Sequence, residues 1–144
     1  MFIDSHCHLD RVKLKPYDGD LDKAIEAAHA EKVLTMLCVA IDLENIESVL
    51  AIADKYPSVY ASVGVHPTSH EGEDPSMERL LELSTRNKVI AIGETGLDYF
   101  YGQETKEVQL DRFKRHLLAS KQCKKPVIVH TRDAKEDTLS LISN

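Results

Sequence analysis

The sequence predicts an α/β fold built on a parallel sheet, and three observations carry that expectation. Apolar runs alternate with amphipathic stretches along the whole chain. The middles of most runs (VLTMLCVA, VIAIG, PVIVH) are largely apolar rather than alternating, as strands covered on both faces should be. Helix-start and turn residues punctuate the boundaries, and strand–helix alternation of this kind closes into a parallel sheet through right-handed crossovers.

Taken in order, strands are expected at residues 2–6, 33–40, 59–66, 89–93 and 126–130. Leu21, Ala24, Ile25 and Ala28 share one helical stripe, as do Leu43, Ile46, Leu50 and Ala53, and then Leu110, Phe113 and Leu117. Asp42 is placed to cap the second helix, which Pro57 follows. Asp74 before Pro75 reads as the N-cap and first turn of the third. A last helix begins over residues 133–142. No linker or low-complexity tract interrupts the series, so residues 1–144 read as one domain.

The 144 residues carry 18 Lys+Arg against 24 Asp+Glu, a formal charge of −6, with 42% apolar residues. That composition suits a soluble globular domain with room for one core and not two. No apolar run approaches the ~18 residues of a membrane span, and MFIDSHCHLD is not a secretory leader. Cys7, Cys38 and Cys123 are dispersed, which excludes a CxxC zinc or redox motif and fits a reducing cytoplasm. The acidic balance excludes a chain-wide basic surface for nucleic acid but leaves room for a local patch.

Polar residues concentrate at the carboxyl ends of the apolar runs, where parallel α/β folds place ligands. Asp4, His6 and His8 share one face of the first strand, and two imidazoles at that spacing can grip a divalent ion or simply face solvent. His66, Glu94 and His130 end the third, fourth and fifth runs. An isolated charge or imidazole there is costly without a partner such as water or a loop. Converging strand ends would bring these groups together, and a carboxylate shared by imidazoles suits a two-metal hydrolase. Asp98 either orients a ligand, accepts a proton or closes a turn. Arg132 either holds a phosphate or pairs with a neighbouring acid. Arg11, Lys13 and Lys15 follow the first strand, and Tyr99-Phe100-Tyr101 follow the fourth. Backbone tracking and base stacking stand there beside a solvated loop and rim packing.

The segments DSHCHLD, VGVHP, IGETGLDY and PVIVHTRDA, in this order and at this spacing, resemble the TatD-type metal-dependent deoxyribonucleases of the amidohydrolase-like superfamily. The resemblance covers essentially the whole chain. It implies a TIM-barrel (β/α)8 type of fold, of which about the first four to five βα units are present, because eight units need at least ~200 residues. A five-stranded doubly wound sheet would fit the length, but no glycine-rich nucleotide turn supports it.

By the resemblance, His6 and His8 bind one divalent cation, Glu94 bridges two, His130 binds the second, and His66 lies near the scissile group. The ions, Mg, Mn, Zn or Ni, are not distinguished. The family's further histidine ligand and late-strand aspartate lie past the last residue. The implied activity is hydrolysis of DNA phosphodiester bonds, single strands included, by metal-activated water. Glu94, His66 and Asp98 would be catalytic, and Arg132, Arg11 and Tyr99 would contact substrate. The alternatives are hydrolysis of another ester or amide, such as an aminoacyl-tRNA ester, and an inactive barrel fragment that acts only through pairing.

Overall fold

Each apolar run becomes a strand, and a helix follows each strand along the chain. The computed structural model describes residues 1–143. Its elements are β1 (Phe2–Cys7), α1 (Leu21–Ala30), β2 (Val33–Cys38), α2 (Ile46–Lys55) and β3 (Val59–Val63). There follow α3 (Met77–Ser84), β4 (Val89–Asp98), α4 (Lys106–Cys123), β5 (Val127–Arg132) and α5 (Lys135–Ile142). Among the described residues the strands pair in the order β1-β2-β3-β4-β5, every neighbour parallel. A doubly wound sheet reverses its strand order at a switch point, and this one does not. Uninterrupted sequential order is the winding of a βα barrel, so all five strand ends open on one side.

The core forms in two parts. Ile25, Met36, Val49, Leu50, Val59 and Ile92 belong to the larger, and Leu97, Phe113 and Ala134 to the smaller, beneath α4 and α5. β1 and β5 are the outer strands, and Phe2 and Ile3 on β1 remain 65% and 66% exposed.

Strand ends and helix caps depart from expectation for identifiable reasons. β3 stops at Val63 because the next donors leave the ladder: the Val65 N–H goes to His116 Nε2 (3.0 Å) and the His66 N–H to the Ile41 carbonyl (2.8 Å). β4 runs on to Asp98 because Thr95, Gly96, Leu97 and Asp98 pair with Val129, His130, Thr131 and Arg132. Two glycines make this possible. Gly96 has φ +136°, and a Cβ there would lie 2.0 Å from the His130 carbonyl oxygen; Gly93 has φ +134°, and a Cβ there would lie 2.7 Å from the Ile128 carbonyl oxygen. Asp42 does not cap α2 as its N-cap residue. Asn45 holds that position, and Asp42 accepts the Asn45 N–H at 2.9 Å to build the preceding turn. Ser76, not Asp74, caps α3, because the Asp74 carboxylate is drawn to Arg112 (2.7 Å) and Arg115 (2.6 Å) on α4.

His116 on α4 is fully buried. It accepts the Val65 N–H through Nε2 and donates from Nδ1 to the Arg112 carbonyl at 2.8 Å. Burial holds its pKa down at about 4, against 6.5 for an unperturbed histidine. The unfolded chain therefore binds the extra proton first. The neutral imidazole's contribution to stability is complete above pH 6.5 and is lost as pH falls from there toward 4. Thermal unfolding followed by circular dichroism should show Tm dropping through that window. His116→Gln, which keeps an acceptor and a donor but does not titrate, should show a shallower drop.

Candidate metal centre

Side chains two residues apart on a strand share a face, so Glu94 and Asp98 on β4, with His130 and Arg132 on β5, all face one way. The register brings them level, with Gly96 opposite His130 and Asp98 opposite Arg132. At the mouth, Glu94 is buried, 9% exposed as a residue, and its carboxylate sits among imidazoles. Its Oε2 lies 3.2 Å from His6 Nε2, and its Oε1 lies 3.6 Å from His130 Nδ1 and 3.9 Å from His66 Nε2. The rings pair edge to face, His6 with His8 at 5.3 Å and His66 with His130 at 4.3 Å between centroids. Among the described residues two groups able to hold an ion result, His6–His8–Glu94 and His66–Glu94–His130, and Glu94 belongs to both.

Hydrogen bonds around the imidazoles assign their protons. His8 Nδ1 meets the Val39 carbonyl at 2.7 Å and must be the donor, which leaves Nε2 a free lone pair. His130 Nε2 donates to Asp98 Oδ2 at 2.9 Å, so the lone pair on Nδ1 faces Glu94. His66 is reversed: its Nδ1 accepts the Thr68 N–H at 3.2 Å and lies 2.7 Å from the Thr68 hydroxyl. The proton is therefore on Nε2, toward Glu94. Burial pushes the His66 pKa down to about 4, outweighing the attraction of Glu94 and reinforced by His130.

Backbone and hydroxyl groups lock Glu94 in place. Its N–H donates to the Ala40 carbonyl at 2.9 Å. The Ala40 N–H donates to Ser62 Oγ at 3.2 Å, and that hydroxyl donates in turn to the Gly93 carbonyl at 2.6 Å. These bonds form a closed ring around the Gly93–Glu94 peptide, inside a sheet so tight that a Cβ on Gly64 would reach 2.6 Å from Gly93 Cα. Sequence reasoning passed over Ser62. Its signal was a lone hydroxyl in an otherwise apolar strand.

The other expected residues separate. Asp98, 1% exposed, accepts the Phe100 and Tyr101 N–H groups on Oδ1 (3.1 and 3.0 Å) and His130 on Oδ2. Burial raises its pKa, but these donors outweigh burial and the net shift is downward. Arg132 lies over the Phe100 ring, beyond His130 on the same strand face. Arg11 is held at the edge of the site, 2.6 Å from Asp42 and 3.4 Å from Asp10. Tyr99 turns to the helix side, its hydroxyl 2.6 Å from Asp137 and its ring beneath Lys106. Alternation explains this: Tyr99 follows Leu97 and not Asp98.

Residues 3–144 match the family described as TatD related DNase. The chain belongs to that family. Among curated relatives, it is 40% identical to YcfH of Escherichia coli K12 over 141 residues, 97% of this chain and 52% of that protein. It is 35% identical to YabD of Bacillus subtilis 168, over 99% of this chain and 55% of that protein. Both are named uncharacterized metal-dependent hydrolases. Among solved structures, the TatD homologue YjjV of Escherichia coli K12 superposes with a TM-score of 0.86 at 33% identity, covering 99% of this chain and 55% of that one. A TatD family hydrolase from Entamoeba histolytica gives 0.80 at 26% identity, over 99% and 53%. This TatD-related chain thus spans about half the length of the relatives it matches, and its five strands are the curled half of a TIM-type barrel. No described helix is long and apolar enough to cross a membrane.

Ser62→Ala would leave the Ala40 N–H and the Gly93 carbonyl unpaired and buried. Urea unfolding should register a loss of about 1–3 kcal/mol. A change within ~0.5 kcal/mol, the range of ordinary surface substitutions, would show that the ring is dispensable.

Proposed function

We propose that residues 1–144 are the N-terminal portion of a single TatD-like barrel, and that the barrel is a divalent-metal-dependent hydrolase cleaving phosphodiester bonds of DNA. The observation that carries this is the Glu94 carboxylate, with one oxygen beside His6 and the other between His130 and His66. The donor set fits: His8 is fixed from behind by a carbonyl and His130 by a carboxylate, and with His6 they surround the buried Glu94 carboxylate. His6, His8 and Glu94 would hold the first ion, and Glu94 and His130 the second. Bound there, a pair of divalent ions supplies acidified water as nucleophile and stabilises charge on the phosphoryl oxygens.

The chain's own groups do the rest. Asp98 acts through His130, holding the ring's orientation and the side on which it carries its Nε2 proton. His66 stays neutral above about pH 4 and keeps its Nε2 proton, available to donate to a phosphoryl oxygen entering the site. Arg132, on the same face as His130, supplies a cation for the substrate's phosphate. Arg11 and Tyr99, engaged with Asp42 and Asp137, shape the surroundings. Such a nuclease would work in the cytoplasm, where its three thiols stay reduced.

Titration calorimetry with Mn²⁺ should find two ions bound. Glu94→Gln should weaken both by a factor of ten or more, and His8→Ala only one. In the protein carrying the whole barrel, His6→Ala or Glu94→Gln should abolish metal-dependent DNA cleavage while Tm holds. Undiminished cleavage in either variant would overturn the assignment.

A further inference from the structure

Two large aromatic rings stand exposed at the mouth of the site, Phe100 at 56% and Tyr101 at 65%. They meet edge to face, 4.6 Å between centroids at 87°. Over them lies the Arg132 guanidinium, its Cζ 3.9 Å from the Phe100 ring centre and 4.8 Å from that of Tyr101. Among the described residues Arg132 is exposed and has no carboxylate partner, although Asp133 and Glu136 lie close in sequence. A planar cation is thus held against π systems rather than neutralised.

The position of this cluster is set by the metal centre itself. Arg132 shares the strand face of His130 and is the register partner of Asp98. Asp98 uses one carboxylate oxygen to fix the Phe100 and Tyr101 N–H groups and the other to fix His130. One buried anion therefore determines both where the ring of a candidate metal ligand points and where the aromatic turn stands. That preorganisation lowers the ordering cost of a ligand lying on the turn.

We infer that Phe100, Tyr101 and Arg132 form a stacking platform for an unpaired nucleobase of a nucleic-acid strand whose phosphate lies at the adjacent metal centre, an inference that rests on the phosphodiesterase reading above. Exposed aromatic rings and a planar guanidinium match the π face of a base, and the guanidinium's N–H groups match the phosphate next to it. A duplex keeps its base faces inside the stack, so the platform selects single strands or frayed ends.

The test compares a short, dye-labelled oligothymidylate with an abasic strand of equal length and charge, by fluorescence anisotropy with metal withheld so that neither is cut. The wild-type chain should bind the thymidylate about ten-fold more tightly than the abasic strand. Phe100→Ala/Tyr101→Ala should bind the two strands alike. Arg132→Lys, which keeps the charge but not the plane, should lose part of the difference. Equal wild-type affinity for the two strands, absence of binding to either, or equal affinity for a blunt duplex would overturn the platform. The same double variant titrated with Mn²⁺ should bind ions as the wild type does. A wild-type chain that takes up no Mn²⁺ counts against the phosphodiesterase reading, whatever the anisotropy shows.

Discussion

A carboxylate removed from water must find compensating charge or donors, and the placement of Glu94 is the constraint around which this fold is organised. Glu94 sits at the mouth of a sheet whose buried residues are mostly apolar. Compensation comes from side chains on other strands: His6 and His8 from the end of β1, His66 from beyond β3, His130 from β5. No two of those three chain segments are close in sequence. They meet because parallel strands in sequential order all end on one side, which the right-handed crossovers enforce. The same geometry that buries the apolar strand middles thus gathers the candidate ligands.

Behind the imidazoles stands a second set of interactions that gives them distinct chemistry. His8 and His130 each lose one nitrogen to a backbone carbonyl or to Asp98 and present the other as a lone pair. His66 is turned the other way by Thr68 and presents a proton. Four histidines in one mouth are therefore not equivalent, and the difference resides in neighbours that carry no charge of their own, Val39 and Thr68, as well as in Asp98. The Ser62 ring does the corresponding work for Glu94.

Much of this was legible in the residues themselves. Apolar strand middles and helical stripes announced parallel βα units, and polar residues at the ends of successive apolar runs announced a shared mouth. What escaped was set by tertiary contact. The α3 cap fell to Ser76 because two arginines on α4, far along the chain, claim Asp74. β4 outran its apolar run because pairing with β5, not hydrophobicity, decides where it ends. Tyr99 was grouped with its aromatic neighbours, yet strand alternation sends it to the helix side, where Asp137 and Lys106 take it up. Ser62 escaped because a single hydroxyl in an apolar strand carries no pattern.

The approach of Gly96 to the His130 carbonyl has a consequence for how such a site can vary. Even a methyl group at position 96 would force the opposing strand outward at the very residue that supplies an imidazole. The spacing between Glu94 and His130 is thus gauged by an atom that is missing rather than by any group that reacts. Chemistry at this mouth can be retuned by exchanging side chains around it, but its aperture is written into bare backbone and offers no gradual path to a wider one.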